Sequence, residues 1–219
     1  MVITKLEQWE QRKKAKGYTS VSSSKIKVFI DYEYAFPIVD QDREEYDLME
    51  DRELSEEVYL KLLWEMVFPR AKQKALSLLK FHDRTEAELV QKLREEGYPE
   101  QIILKTIEYV CEYGYLNDIR YATNYINTRK ANKSKLILTA ELTSRGISKD
   151  IIHQIISAEY DDLGEDPELP AIRKAIHKKT SDPSLLSREE KQKLMAHLYR
   201  KGFSAEKIRK VIDEDLVEY

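Results

Sequence analysis

GYLNDIRYATNYINTR, residues 114–129, is the stretch on which the fold turns. A glycine after a helical run, an aromatic and a leucine that turn inward, and Asn117 in the N-cap position describe one helix stopping and another starting at once. The segment therefore closes one three-helix unit and opens the next. It needs no catalytic group to explain it.

Outward from this junction the chain repeats. Gly97, Gly146 and Gly202 are three of only six glycines, and each is followed by a bulky residue and then Pro or Ser. The flanks agree: Leu89 and Leu93, Leu138 and Leu142, and Leu194 and Leu198 precede the glycines at the same offsets. Ile103 and Ile107, Ile152 and Ile156, and Ile208 and Ile212 follow them. An interval of four residues puts each pair on one helix face, one turn apart. Each copy is then an amphipathic helix, a glycine stop with positive φ, and a second helix started by Pro99, Ser148 or Ser204. A third helix precedes each pair, over 72–81, 117–130 and 168–180. Thr85 with Glu88, and Ser187 with Glu190, have capping-box spacing. Three-helix units of this length stack into an elongated, curved array.

The N-terminal texture differs. Ile26, Val28 and Ile30 alternate with Lys25, Lys27 and Asp31, which predicts a strand, with 2–7 and 34–38 as its antiparallel partners in a hairpin or meander. Gln11–Ser24 reads as a basic loop. Residues 40–57 hold ten acidic and two basic side chains, so 39–54 reads as a short helix or linker. Ser55 caps the next helix without a capping box, and Leu60, Leu63, Trp64 and Val67 give it a face ending before Pro69. The organisation expected is an extension and acidic linker over 1–54, a first repeat with lead-in helix over 55–114, a second over 115–163 and a third over 164–219. The fold class is mainly α, with a small β-rich extension.

At 219 residues the chain can bury a sizeable core without a metal or disulfide. Its single cysteine, Cys111, excludes an intramolecular disulfide, fits a reducing cytoplasm, and lies in an apolar run as a small core residue. No apolar run approaches the roughly 18 residues of a membrane span, and no signal-peptide pattern follows Met1. His82, His153, His177 and His197 are scattered without zinc-site spacing, and the glycines never cluster into a phosphate-cradling loop. The expectation is a non-enzymatic, cytoplasmic monomer without metal or cofactor. A net charge of −3 does not announce a nucleic-acid binder, but Arg129, Lys130, Lys133 and Lys135, and later Arg173, Lys174 and Lys178, form basic stretches that are candidate nucleic-acid contacts. Tyr121 and Tyr125 lie four residues apart with Arg129 a turn beyond. Such a row suits a protein hot spot, a base-stacking platform, or a roof over the core. With Ile119, Ala122 and Ile126 as the core face, it points outward.

Gly114, Tyr115, Leu116, Asp118, Arg120, Tyr121, Ala122 and Arg129 closely resemble the signature of the RecX family, a GYLDD-like turn leading to an Arg-aromatic-Ala helix start. Asn117 replaces the first of the two acids, keeping the capping oxygen and losing the charge. The resemblance extends to Ala75, Leu76, Arg84, Glu88, Leu89, Leu93 and Gly97 upstream and to Glu141, Leu142, Gly146 and Ile147 downstream. In the third repeat it rests mainly on periodicity. It implies a regulator of the RecA recombinase, usually an inhibitor, that lies in the groove of the RecA filament on single-stranded DNA and modulates recombination, repair and ATP turnover. Tyr115, Asp118, Arg120, Tyr121, Tyr125 and Arg129 are then the candidate partner-binding residues. A direct nucleic-acid binder acting without RecA is the alternative.

Overall fold

The computed structural model describes residues 1–9, 25–161, 166–180 and 183–214. The basic loop at 11–24 lies outside the described residues, as do 162–165. The chain divides into two compact units, Met1–Arg84 with Glu88–Leu116, and Thr85–Ala87 with Asn117–Tyr219.

In the first unit, β1 (Ile3–Gln8), β2 (Lys25–Ile30) and β3 (Glu33–Val39) form the expected antiparallel meander in the order β1-β2-β3. The β2–β3 turn is two residues long, with Asp31 and Tyr32 both at positive φ (49° and 68°), the backbone that matches the twist of a tight hairpin. Two bonds to the edge strand region hold it: Val2 N donates to Asp31 Oδ1 at 2.8 Å, and Tyr32 N to Thr4 Oγ1 at 2.9 Å. Alternation puts Ile26, Val28 and Ile30 on the buried face.

That face packs on helices. After α1 (Asp40–Glu45), the acidic segment folds its Leu48 and Leu54 into the same core as the sheet, so it is packed structure. Asp42 is buried and compensated by Arg70 and by the backbone N–H of Val39 at 2.9 Å. Ser55 caps α2 (Glu56–Lys61) as expected. The helix does not end before Pro69. It continues as a π-helical segment, Leu62–Val67, into α3 (Phe68–Phe81). The Phe68 N–H bonds Leu63 O, five residues back. Proline has no N–H and its ring crowds the preceding turn, and a widened turn just ahead of it lets the helical run pass through. Leu62, Leu63, Met66 and Val67 are buried, whereas Leu60 and Trp64, expected on the inner face, are exposed. Next come α4 (Glu86–Glu95), whose first residues belong to the second unit, and α5 (Glu100–Glu112). Leu89, Leu93, Ile103, Ile107 and Val110 form a further core cluster with Ala75. Cys111, one residue beyond Val110 and so about 100° round the helix, is exposed and not a core residue.

The second unit holds α6 (Asp118–Arg129), α7 (Lys135–Ser144) and α8 (Lys149–Asp161) around one core. Another core gathers α9 (Glu168–His177), α10 (Arg188–Arg200) and α11 (Ala205–Glu214). Asn117, Ser134 and Ser187 accept from backbone N–H groups as N-caps, and Ser187 with Glu190 makes the full capping box.

The repeat glycines do two jobs. All three have φ between 81° and 85°, which reverses the chain where each pre-glycine helix ends. They also admit a neighbour. A Cβ on Gly146 would lie 2.3 Å from Ala87 Cβ, and one on Gly202 would lie 2.6 Å from Ser134 Oγ. The same two contacts are pinned by hydroxyls: Thr85 donates to Arg145 O at 2.6 Å and Ser134 to Lys201 O at 2.7 Å. Within the second unit, Thr85 and Ala87 thus meet the Gly146 turn, and Ser134 meets the Gly202 turn. Gly97 has no earlier repeat, and the sheet stands in, with Tyr34 Oη donating to Gly97 O at 2.7 Å and Trp9 over the glycine.

Candidate functional site

The turn from α5 to α6 closes with Gly114 at φ 70°. Tyr115 N and Leu116 N both donate to Val110 O, at 2.9 and 3.1 Å, satisfying a carbonyl at the helix end. Leu116 is buried in the first unit's core, but Tyr115, expected to turn inward with it, is 51% exposed. Asn117 Oδ1 accepts from Arg120 N at 2.8 Å, so the replacement of an acid preserves the cap. Asp118 Oδ1 accepts the N–H of Glu86, the first residue of α4, at 2.9 Å, placing a carboxylate at a helix start where the dipole favours it.

Along α6 the structure revises the outward face. Tyr125 is buried in the core of the second unit, Tyr121 packs against that core, and Ile119, expected inside, is 48% exposed. Ala122 and Ile126 are buried as expected. The Tyr121 and Tyr125 rings stack at 6.1 Å. Arg129 lies 3.9 Å from the Tyr125 ring centre and Arg145 lies 5.3 Å from it, so guanidinium groups surround a ring the sequence set in solvent. The Tyr125 hydroxyl finds its partner on α7, donating to Glu141 at 2.9 Å. Lys133 reaches the other Glu141 oxygen at 2.5 Å. Burial alone pushes the Glu141 carboxyl up, but the hydrogen bonds from Lys133 and Tyr125 outweigh it and hold the group below the ordinary range.

The basic stretch at 129–135 is largely engaged. Lys130 pairs with Glu159 at 2.6 Å, Lys133 with Glu141, and Lys135 Nζ lies 5.7 Å from the Tyr160 ring centre. On α9 and just after it, Lys174 and Lys178 are exposed and Arg173 is half-buried.

The exposed aromatic row is elsewhere, in the first unit. Tyr113 and Tyr115, 62% and 51% exposed, stack at 6.5 Å, and Tyr109 lies 4.7 Å from Tyr113. Lys72 joins Tyr109 to Phe68 by cation–π contacts at 4.9 and 4.6 Å, and Phe68 meets Trp64 edge-on at 5.8 Å. The sequence carried this signal, since Tyr109 and Tyr113 have the same four-residue spacing as Tyr121 and Tyr125. Among the described residues no cluster of His, Cys, Asp or Glu side chains could hold a metal ion, and no helix is long and apolar enough to cross a membrane.

Comparison with known proteins bears on this arrangement. Family models of the first and third RecX three-helix domains match residues 71–109 and 166–212, the latter being the repeat where the resemblance rests mainly on periodicity. A regulatory protein RecX from Caldanaerobacter subterraneus subsp. tengcongensis is 32% identical over 87% of this chain and 93% of its own length. One from Bacillus pumilus is 28% identical over 88% of this chain and 73% of its own. A crystal structure of regulatory protein RecX superposes with a TM-score of 0.61 at 23% identity, covering 97% of this chain and 98% of that one, which concerns the fold alone. RecX from Lactobacillus salivarius gives 0.57 at 25% identity over 69% of this chain and 97% of that one. With a relative of this identity matched along nearly its whole length, and with both family domains in place, the chain belongs to the RecX family of regulatory proteins.

Proposed function

We propose that this protein regulates the RecA recombinase as an inhibitor, binding along the groove of the filament on single-stranded DNA and lowering strand exchange and ATP turnover. The observation that carries the proposal is the match to a RecX regulatory protein over 93% of that relative's length. Tandem repeats suit such a target, because modest contacts made by each repeat add through avidity along a polymer. In this scheme Tyr115 and Arg120, both exposed, touch the partner directly. Asp118, Tyr121, Tyr125 and Arg129 hold the helix that carries Arg120. The engagement of Lys130 and Lys133 by carboxylates leaves them poorly placed to neutralise phosphate, which weighs against a protein that works through DNA alone. Co-sedimentation with RecA filaments assembled on single-stranded DNA tests the proposal. The expected result is capture by the filament and only weak, salt-sensitive retention by DNA without RecA. Equal retention by bare DNA, or none by filaments, rules it out.

A further inference from the structure

The second and third repeats share their helix pattern but differ in the side chains at one corner. Laying the start of α9 on the start of α6 sets Lys179 on Arg129 and Ala175 on Tyr125. Laying Gly202 on Gly146 sets Leu194 on Leu138 and His197 on Glu141. In the second repeat the site is complete: the Tyr125 ring lies under Arg129 and its hydroxyl donates to Glu141. The third repeat has alanine in place of the ring and histidine in place of the carboxylate.

A cavity of about 280 Å³ opens beside this corner, lined by Lys179 and His197, the counterparts of Arg129 and Glu141. Leu186 and Leu194 supply its apolar surface, and Lys179, Lys193 and His197 its cationic and polar surface. Glu190, Lys193, Leu194 and His197 fall on one face of α10, at intervals of three and four residues. The one acid in this lining, Glu190, is already committed, accepting from Ser187 N at 2.9 Å and Ser187 Oγ at 2.7 Å. Among the described residues neither Lys179 nor Lys193 has a carboxylate within ion-pair distance, although Lys193 acts on Glu190 at longer range, and the buried His197 Nε2 has no hydrogen-bond partner. Burial, and then Lys201, Lys179 and Arg200, push the imidazole pKa down, as expected for a group in a positive field that lacks a counter-charge.

We propose that this cavity of the third repeat binds an acidic peptide segment of a partner through an aromatic side chain, which sits beside Lys179 and His197 as the Tyr125 ring sits beside Arg129 and Glu141 in the second repeat. The ring lies on Leu186 and Leu194, and flanking carboxylates face Lys179, Lys193 and His197. The ring supplies the apolar area and the acids supply the charge this lining lacks. This pairing needs both parts of the ligand. Inorganic phosphate brings the charge and no ring, a purely apolar segment leaves the lysines unanswered, and a single-stranded nucleic acid, which carries both rings and charge, is the competing ligand that the oligonucleotide arm of the test decides on. The site is separate from any role of Tyr115 or Arg120, so it can fail without touching the filament proposal.

The test uses the full chain and a set of acetylated, amidated pentapeptides, Asp-Glu-X-Glu-Asp with X as Tyr, Phe, Trp or Leu, and the same set with Asn and Gln flanks. Binding is read from the His197 ring resonances in an NMR titration. The aromatic acidic peptides are expected to shift those resonances saturably. The amide-flanked set and the leucine peptide are each expected to bind roughly tenfold more weakly. Exposed Lys179→Glu with Lys193→Glu abolishes the shift in a folded protein. No shift of His197 with any aromatic acidic peptide overturns the proposal. So does equal binding by the charge-reversed protein, or a His197 shift produced as strongly by inorganic phosphate or a single-stranded oligonucleotide.

Discussion

Two stacked tyrosine pairs flank the turn at Gly114–Asn117, and they have opposite fates. Tyr113 with Tyr115 and Tyr121 with Tyr125 have nearly the same ring spacing, 6.5 and 6.1 Å, and nearly the same tilt, 19° and 18°. Yet Tyr113 is 62% exposed and Tyr125 only 8%. Tyr125 enters the core with its hydroxyl satisfied by Glu141, whereas the Tyr160 hydroxyl, buried in the same core, has no hydrogen-bond partner among the described residues. Ring geometry alone therefore does not mark a binding face. Burial and hydroxyl partners decide which pair braces the fold and which faces solvent.

The comparison breaks most sharply if the pairs are truncated in turn. Tyr125→Ala should cost about 3–5 kcal/mol of stability, since it removes a buried ring and leaves two guanidinium groups without their platform. Tyr113→Ala should change stability by about 0.5 kcal/mol or less. Denaturant midpoints of the two variants measure this, and similar losses would erase the distinction.

The glycines sharpen it next. At Gly114 (φ 70°) nothing lies within 4 Å of an added Cβ, so Gly114→Ala should cost only the left-handed backbone penalty, about 1–2 kcal/mol. Gly146→Ala carries the same penalty and meets Ala87 at 2.3 Å, for a further ~1–3 kcal/mol of overpacking. Chemical denaturation should rank Gly146→Ala as the more damaging. The reverse order would mean that the docking of Ala87 on that turn is loose.

The α6 half of the comparison rests on sequence features only in part. Helix stops at the repeat glycines, the N-caps at Asn117, Ser148 and Ser204, and the alternation of Ile26, Val28 and Ile30 are local rules, and local rules were enough to place them. The orientation of α6 was not local. Its apolar positions are few, and the deciding contact, Tyr125 to Glu141, joins residues 16 apart on different helices. Pro69 misled for a similar reason, since only the π-helical turn before it allows the helix to continue. Tyr115 stands in the stretch that resembles the family signature, whereas Tyr109 and Tyr113 lie outside it, and only their four-residue spacing marks them. The docking of Thr85 and Ser134 on the next glycine turn had no sequence signal beyond capping-type residues at equivalent positions.

A smaller effect than those at Tyr125 and Gly146 is expected on acid stability. Glu141 is held below its ordinary value of 4.5, so its contribution is present in full above that pH and is lost as pH falls through the lower folded-state value. Tyr125→Phe removes one of the hydrogen bonds responsible and should shrink this acid-side loss, while leaving the slope near neutral pH unchanged. Thermal midpoints between pH 3 and 7 on the two proteins read the difference directly, roughly 1 kcal/mol at most for one hydrogen bond. An unchanged acid limb would show that Lys133 alone holds the carboxylate.

The most direct test is inhibition of RecA-promoted strand exchange by the Tyr113→Ala, Tyr115→Ala variant, with wild-type protein and a Tyr125→Phe variant beside it. The expected result is that the folded double variant loses most of its inhibition while Tyr125→Phe inhibits like wild type. A folded double variant that inhibits as well as wild type, or a wild-type protein without effect on strand exchange, would contradict the account.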